Sequence, residues 1–154
     1  MSTSPAQDLR TLARFRHAIR RFLRASEEAA RVAGLTPQHH QLLLGVVGFN
    51  GTGAATIGEL AEFLQVRHHS VVGLVDRAEA LGYVQRRPGT DDRREVQVVL
   101  TPDGMRRLKA MADQHRRELA GMRRGFNLAV LEDHSSRGGG RRAAPQARRR
   151  PARG

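Results

Sequence analysis

The chain has 154 residues but no cysteine, and this absence excludes several kinds of chemistry. Disulfides, thiolate metal sites, a cysteine nucleophile and a thiol redox sensor are all excluded. No apolar run reaches the roughly 18 residues that a membrane-spanning helix requires. Residues 1–5 also lack the charged and apolar regions of a signal peptide. We therefore expect a cytoplasmic protein made of one domain, or of one domain with a tail.

Lysine is nearly absent as well, whereas arginine is abundant. Of the 27 basic residues 26 are arginine, and the single lysine is Lys109. Only 15 residues are acidic, so the formal net charge is +12. A charge of this size indicates an anionic partner, most simply nucleic acid. Nucleotide bias in a genome also produces an excess of arginine over lysine, so that excess alone does not indicate phosphate binding.

The positive charge is divided unevenly along the chain. Residues 1–136 hold 20 basic and 15 acidic residues, a net charge of +5, whereas residues 137–154 hold seven arginines and no acid. Glycine and proline interrupt this last segment, and only its alanines have side chains suited to a core. We predict a disordered Arg/Gly-rich tail over 134–154. This tail is either a solvated extension or a non-specific phosphate-binding arm.

The pattern of residues 5–32 predicts one long helix with two contrasting faces, ended by Gly34. One face is apolar. The other carries a basic stripe, which is either a solvated face or a surface that contacts acidic groups on a partner. The apolar face consists of Leu12, Phe15, Ile19, Phe22 and Leu23, and the basic stripe consists of Arg10, Arg14, His17, Arg21 and Arg24.

Three further helices are predicted in the next fifty residues. Thr36 is an N-cap before Pro37, and Thr56 forms a capping box with Glu59. A break at 65–67 precedes the third helix, His68 to Leu81, which Gly82 caps. The predicted buried faces are Leu42, Leu43, Val46 and Val47 in the first, Ile57, Leu60, Ala61 and Leu64 in the second, and Val71, Leu74, Val75, Ala78 and Leu81 in the third.

After Gly82 the apolar period changes from about 3.6 to 2, which predicts a β-hairpin. Its strands are Tyr83 to Gln85 and, after the loop 86–94, residues 95–100. Pro102 then opens a last long helix that we expect to continue to about Gly125.

Two short helices joined by a tight turn and followed by a basic hairpin are typical of a winged helix-turn-helix. The helix 68–81 would enter the major groove of DNA by its N-terminal end and present side chains to base edges. Asp76 would repel phosphate deep in the groove, so we confine base contacts to the first two turns. The predicted contacts there are Arg67, His68, His69, Ser70 and Gly73.

The hairpin carries four arginines within nine residues, and we predict that they contact phosphates or a minor groove. The hairpin alone is equally compatible with a solvated β-turn, but its place directly after a helix-turn-helix favours DNA contact. We expect Asp91 or Asp92 to hold an arginine in position. The four arginines are Arg86, Arg87, Arg93 and Arg94.

Five segments in this order resemble the MarR family of bacterial winged helix-turn-helix regulators, and the resemblance covers about residues 8–122. It implies a mainly α fold with a small β-hairpin wing, flanked by long dimerisation helices, in a domain spanning 1–133. It also implies a homodimer, a palindromic DNA operator, and usually repression that a small ligand relieves. The segments are Leu60–Leu64, Ser70–Arg77, Leu81–Val84, Asp91–Arg94 and Leu100–Gly104.

The resemblance also implies roles for individual residues. Arg77 is similar to the family arginine that braces the wing aspartate, which implies an Arg77–Asp92 pair; we count Arg77 among the DNA-contact residues too. A small-ligand site would lie between the dimer helices and the DNA-binding part, near Phe15, His40 and His115.

Three features depart from the family pattern. Arg67 stands where a Ser or Asp cap is commoner, at a cost of about 1 kcal/mol. The pair Val72-Gly73 replaces a polar pair, and glycine within a helix costs about 1 kcal/mol relative to alanine. After His134 the chain is rich in glycine and arginine instead of forming a second apolar dimer helix.

Two other patterns suggest different chemistry but are incomplete. The stretch from Gly48 to Thr56 imitates a phosphate-binding loop, yet Ala54 occupies the position of the essential lysine. Seven histidines, among them His39, His40 and His115, invite a zinc hypothesis, but no CxxC or HExxH spacing supports it. No serine lies in a G-x-S-x-G elbow. We therefore expect no cofactor and no metal.

Three classes of function remain open at this point. The first is a sequence-specific and ligand-responsive regulator of transcription, most simply a repressor. The second is a non-specific or architectural nucleic-acid-binding protein that uses the basic tail. The third is an enzyme or a metal-handling protein. We predict the first class and no enzymatic activity.

Overall fold

The computed structural model describes residues 5–125, with side chains described as far as residue 122. Contacts between residues group the chain into two compact units, Met1–Ala120 and Gly121–Gly154. Every site described below lies in the first unit. Of the unit Gly121–Gly154, only the end of the last helix is described. The predicted tail 134–154 and the predicted domain end at residue 133 lie outside the described residues.

The described residues form six helices and three strands, which confirms the predicted fold class, mainly α with a small β wing. The strands make one antiparallel sheet in the order β1-β3-β2. The helices are α1 (Pro5–Val32), α2 (Pro37–Gly48), α3 (Ile57–Leu64), α4 (His68–Ala80), α5 (Pro102–Ala110) and α6 (Ala112–Gly125). The strands are β1 (Ala54–Thr56), β2 (Val84–Pro88) and β3 (Val96–Leu100).

The two predicted N-caps, Thr36 and Thr56, are confirmed. The Thr36 hydroxyl accepts a hydrogen bond from the His39 N–H at 3.1 Å. The Thr56 hydroxyl accepts from the Glu59 N–H at 3.2 Å, and Glu59 Oε2 accepts from the Thr56 N–H at 2.8 Å. The Thr56 N–H also lowers the pKa of the Glu59 carboxyl, so the carboxylate stays charged at the positive end of α3. These caps determine where α2 and α3 begin.

The sheet is larger than the predicted hairpin. β1 is a third strand, and its Ala55 pairs with Val98 of β3. β2 runs to Pro88 instead of ending at residue 85, because its pairing with β3 continues to Val96. Both corrections have the same physical reason: each segment is short and is held by hydrogen bonds to β3, so its own sequence carries little periodic signal.

The last long helix is also corrected, because it is broken at Met111. The Met111 N–H bonds to the Leu108 carbonyl at 3.2 Å, a tighter turn than in an α-helix. Met111 is buried, and α6 resumes at Ala112. The break lets Met111 enter the core while His115, one turn later, faces α2. Leu81, predicted to be buried at the end of α4, is half exposed.

The core lies between α2, α3, α4 and the sheet, whereas α1 is buried only near its C-terminal end, at Ser26 and Ala30. Much of the apolar face of α1 is therefore left exposed by the described residues: 50% of Leu12 and 44% of Leu23 are exposed. The largest fully buried side chains are Leu42, Leu43, Leu60, His40, Val46, Val71, Val75, Val84 and Val98.

Candidate nucleic-acid interface

The turn between α3 and α4 presents the N-terminal end of α4 to solvent. Gln65 adopts a left-handed conformation, with φ of 53°, which ends α3 sharply. The Val66 N–H bonds back to the Ala61 carbonyl at 3.1 Å. α4 then starts after Arg67, whose side chain makes no capping hydrogen bond, as expected from the missing Ser or Asp. Its guanidinium is exposed and forms no ion pair within the described residues.

The structure brings most of the predicted base contacts together at the first turn of α4. His68, His69 and Ser70 are exposed side by side, next to Arg67. Gly73 is different, because it is half-buried and lines a cavity. The exposed surface at the N-terminal end of α4 is therefore concentrated in residues 67–70.

A brace between the wing and α4 is formed by Arg86, which the sequence analysis placed among the DNA contacts. Its guanidinium donates to Asp76 Oδ1 at 2.6 Å and to Glu79 Oε2 at 2.5 Å. Its backbone N–H donates to Glu79 Oε1 at 2.9 Å. That backbone N–H lowers the pKa of Glu79 most, and the guanidinium lowers it further. Arg86 thus joins β2 to α4, and its positive charge is already matched by two carboxylates.

The implied pair between Arg77 and Asp92 is not formed in this structure. Arg77 makes no ion pair with any described carboxylate, and its Nη1 lies only 3.5 Å from the position that a Cβ on Gly73 would take. The side chain thus turns back along α4, away from the wing. Asp92 Oδ1 instead accepts a hydrogen bond from the Arg94 backbone N–H at 2.9 Å. The aspartate orders the turn at the wing tip without binding a guanidinium.

The wing tip leaves its arginines open to solvent. The Gly89 N–H bonds to the Glu95 carbonyl at 2.7 Å and closes the loop. Arg87, Arg93 and Arg94 are exposed and form no ion pair with a carboxylate in the part of the chain that the structure describes. Three of the four predicted wing arginines are therefore available to an anionic partner.

The base of the wing is tied to the end of α4 by Thr101. Its hydroxyl donates to the Gly82 carbonyl at 2.5 Å, and its N–H donates to the Tyr83 carbonyl at 3.0 Å. Gly104 allows this approach, because a Cβ there would collide with the Tyr83 carbonyl.

Sequence reasoning missed Asp76, Glu79 and Thr101 as wing supports. The available signal was a pair of acids three apart on α4 followed by an arginine seven residues later.

A cavity of about 570 Å³ lies behind the exposed end of α4. Of the three residues proposed for a ligand site, only His40 lines it; Phe15 and His115 do not. Leu23 and Glu27 of α1 form one wall. The α4 wall contains His69, Ser70, Gly73, Leu74 and Arg77.

His40 and His115 are nevertheless in contact and join α2 to α6. Their Nε2 atoms are 3.0 Å apart, and the rings stack with centroids 5.2 Å apart. Of the two Nε2 atoms, one must donate and the other accept, so only one of these two atoms carries a hydrogen. Burial lowers the pKa of His40, the neighbouring His115 lowers it further, and Glu118 opposes this shift. Burial also lowers the pKa of His39, with a further contribution from Arg77.

We predict that stability decreases as the pH falls below about 6.5, the ordinary histidine pKa. The folded protein binds fewer protons than the unfolded chain in that range, because His39 and His40 have lowered pKa values when folded. The contribution of these two histidines to the free energy of unfolding is fully present above pH 6.5 and is lost as the pH falls below that value. Urea unfolding between pH 5 and 7.5 measures the slope, which the His40→Gln variant should reduce. The matched His17→Gln variant, at an exposed position, should keep the wild-type slope; an equal loss in both variants would count against this explanation.

The described residues contain no group of three or more His, Asp or Glu side chains arranged to hold a metal ion. None of the helices within residues 5–125 has the length and apolar character needed to cross a bilayer.

Comparison with known proteins finds one family that the central part of the chain is similar to. The profile of the MarR family matches residues 33–95, which span α2 to the wing tip. No curated protein sequence matches the chain. Residues 33–95 include the exposed end of α4, both acids that bind Arg86, and the three exposed wing arginines.

Solved structures of MarR family proteins share the fold over most of the chain. AbsC, a MarR family transcriptional regulator from Streptomyces coelicolor, is 20% identical with a TM-score of 0.61, covering 88% of this chain and 89% of AbsC. A MarR family protein from Bacillus stearothermophilus is 21% identical with a TM-score of 0.64, covering 89% and 95%.

A third similar structure, of BpsR from Bordetella bronchiseptica, concerns regulation of DNA binding by 6-hydroxynicotinic acid. It is 19% identical with a TM-score of 0.56, and the match covers 81% of this chain and 90% of BpsR. Residues 33–95 are therefore similar to the MarR family, and the chain has the fold of MarR family transcriptional regulators.

Proposed function

We propose that this protein binds a palindromic DNA operator as a homodimer and represses transcription until a small ligand releases it. The observation that carries the proposal is the exposed N-terminal turn of α4, held by Arg86 beside a wing with three unmatched arginines. This arrangement suits an α-helix in the major groove with a basic wing on the neighbouring backbone. A regulator of this kind acts in the cytoplasm, where the bacterial chromosome lies.

Dimerisation is supported by the uncovered apolar face of α1. Leu9, Leu12 and Leu23 are each at least 44% exposed in the single chain. Monomeric soluble proteins rarely leave a continuous apolar strip of this kind in water. A second copy of the chain would cover the strip and present two α4 helices to two half-sites, as a palindrome requires.

A ligand effect is supported by the walls of the 570 Å³ cavity. Its size suits a small molecule. Because His69 and Ser70 form part of the wall, an occupant would touch the same turn of α4 that is proposed to read DNA. A ligand that fits the cavity better when α4 is displaced would shift the population away from the DNA-binding form. The regulation of BpsR by a small molecule is a parallel at the level of the fold.

Binding selectivity at matched salt concentration tests the proposal against the alternative of non-specific nucleic-acid binding. We expect an operator, found by footprinting DNA upstream of neighbouring genes, to be bound at least about 10³-fold more tightly than random duplex. If random duplex competes equally at every salt concentration, the protein is a non-specific binder and the regulator proposal is wrong.

We predict that His69 and Arg94 contribute to DNA binding in different ways. The His69→Ala variant should lose about 1–3 kcal/mol of preference for the correct base, because an exposed side chain on the first turn of α4 reaches base edges. The Arg94→Gln variant should weaken binding to all sequences and reduce the salt slope by about one, because it removes one phosphate contact. Salt titrations on operator and random duplex measure both effects. If the two variants behave alike, the division into base contact and phosphate contact is wrong.

A further inference from the structure

We propose that the basic stripe of α1 binds the phosphate backbone of duplex DNA beside the stretch that α4 contacts. This inference rests on the proposed DNA binding but concerns a different element, outside the helix-turn-helix and the wing. The stripe would lengthen the contact with DNA without adding sequence preference. The arginines that compose it are Arg10, Arg14, Arg21 and Arg24, with His17 between them.

The middle part of α1 carries arginines without any acidic residue among them. Residues 9–24 contain six arginines and no aspartate or glutamate, and all six arginines are exposed. None of the six forms an ion pair within the described residues, whereas five other arginines do. The paired arginines are Arg31, Arg86, Arg106, Arg107 and Arg116. Unpaired arginines are therefore concentrated on α1, at the start of α4 and at the wing tip.

The concentration of positive charge on α1 destabilises the helix unless an anion is bound to it. Arg10 and Arg14 are four residues apart, as are Arg20 and Arg24, and like charges at that spacing destabilise a helix. Solvated helix faces usually alternate positive and negative side chains for this reason. A polyanion would replace the missing acids and reverse the sign of the interaction.

The stripe faces away from the proposed dimer contact. At 3.6 residues per turn, the direction of Arg14 and Arg21 is opposite to that of Leu12 and Ile19. Covering the apolar face with a second chain would therefore leave the stripe in solvent. Its length from Arg10 to Arg24 is about 21 Å at 1.5 Å per residue, which is comparable to six base pairs of duplex.

The C-terminal end of the stripe lies within one helical turn of residues that face the recognition helix. Leu23, on the apolar face, and Glu27 line the same cavity as His69 and Ser70 of α4, and Arg24 follows Leu23 directly. A duplex seated on α4 would thus pass near this end of α1. An acidic protein would satisfy the same charges, but continuity with the exposed end of α4 favours DNA.

A salt titration on a 40-base-pair random duplex tests the proposal without requiring the operator. The variant replaces the four stripe arginines by glutamine at positions 10, 14, 21 and 24. The control variant replaces four arginines that already form ion pairs, at positions 31, 106, 107 and 116, so both proteins lose the same charge. We expect the stripe variant to reduce the salt slope by about 3.6, and the control by less than about one. Between 50 and 200 mM salt, that difference changes affinity on the order of 10²-fold.

Each outcome separates this inference from the proposed function. If the stripe and control variants have equal slopes on duplex, the inference is wrong while DNA binding stands. If the stripe variant loses binding to poly-glutamate but keeps the wild-type slope on duplex, the partner is an acidic protein and the inference is also wrong. If the wild-type protein binds neither operator nor random duplex, the proposed function itself fails. Circular dichroism of both variants checks that α1 remains helical.

Discussion

The Arg86→Glu variant is expected to bind operator DNA about 10²-fold more weakly than wild type and to unfold at lower denaturant concentration. Arg86 connects β2 to Asp76 and Glu79 of α4. A glutamate there would place three carboxylates together and release the wing. The phosphate contacts of Arg93 and Arg94 would then be lost, and two charge-assisted hydrogen bonds of about 1.5 kcal/mol each account for the predicted factor.

Arg87 provides the matched control for this prediction. It is the next residue on β2, and Arg87→Glu makes the same change in charge, but Arg87 contacts no described carboxylate. Arg87→Glu should weaken DNA binding through one phosphate contact while leaving unfolding nearly unchanged. If both variants lower operator affinity equally and unfold together, Arg86 acts as a phosphate contact and not as a brace. Urea unfolding and operator titration are the two measurements.

Leu9→Glu combined with Leu12→Glu is expected to convert the proposed homodimer to a monomer and to lower operator affinity between 10² and 10⁴-fold. Both leucines are at least 50% exposed in the single chain, so the substitutions disturb no internal packing. Acidic side chains on the apolar face of α1 would be buried without partners in a dimer, at a high desolvation cost. A monomer loses the second half-site, and the avidity of two linked sites commonly contributes a factor of this size.

Val32→Glu is the control, because Val32 is 82% exposed and lies on the opposite side of α1. This variant should remain dimeric and bind the operator like wild type. Sedimentation equilibrium at micromolar concentration measures the assembly state, and a titration with operator measures affinity. A wild-type protein that is monomeric at operator-binding concentrations would contradict the dimer proposal.

Local sequence patterns predicted the helices and much of the candidate interface. Thr36 with Pro37, and Thr56 with Glu59, placed two helix starts correctly, because a cap depends on residues within one turn. The exposed group at residues 67–70 was predicted from helix periodicity in the same way. The third strand and the break at Met111 were missed, because both depend on contacts with distant segments.

The choice of partner for each charged group was the least predictable feature. Arg77 was expected to brace the wing, but its side chain turns back toward Gly73, and the brace is formed by Arg86. The two arginines are nine residues apart on different elements, and nothing in their own neighbourhoods distinguishes a pairing partner. A pairing of this kind depends on where side chains meet after α4 and β2 have packed.

The amino-acid pattern alone was sufficient for the order of elements, the basic wing and the two faces of α1, because caps and periodicity act over a few residues. Tertiary packing decided that Arg86 is matched by Asp76 and Glu79, that His40 meets His115, and that a cavity opens behind α4. These features join residues up to 75 positions apart. Their energies depend on distance and burial, which no local pattern encodes.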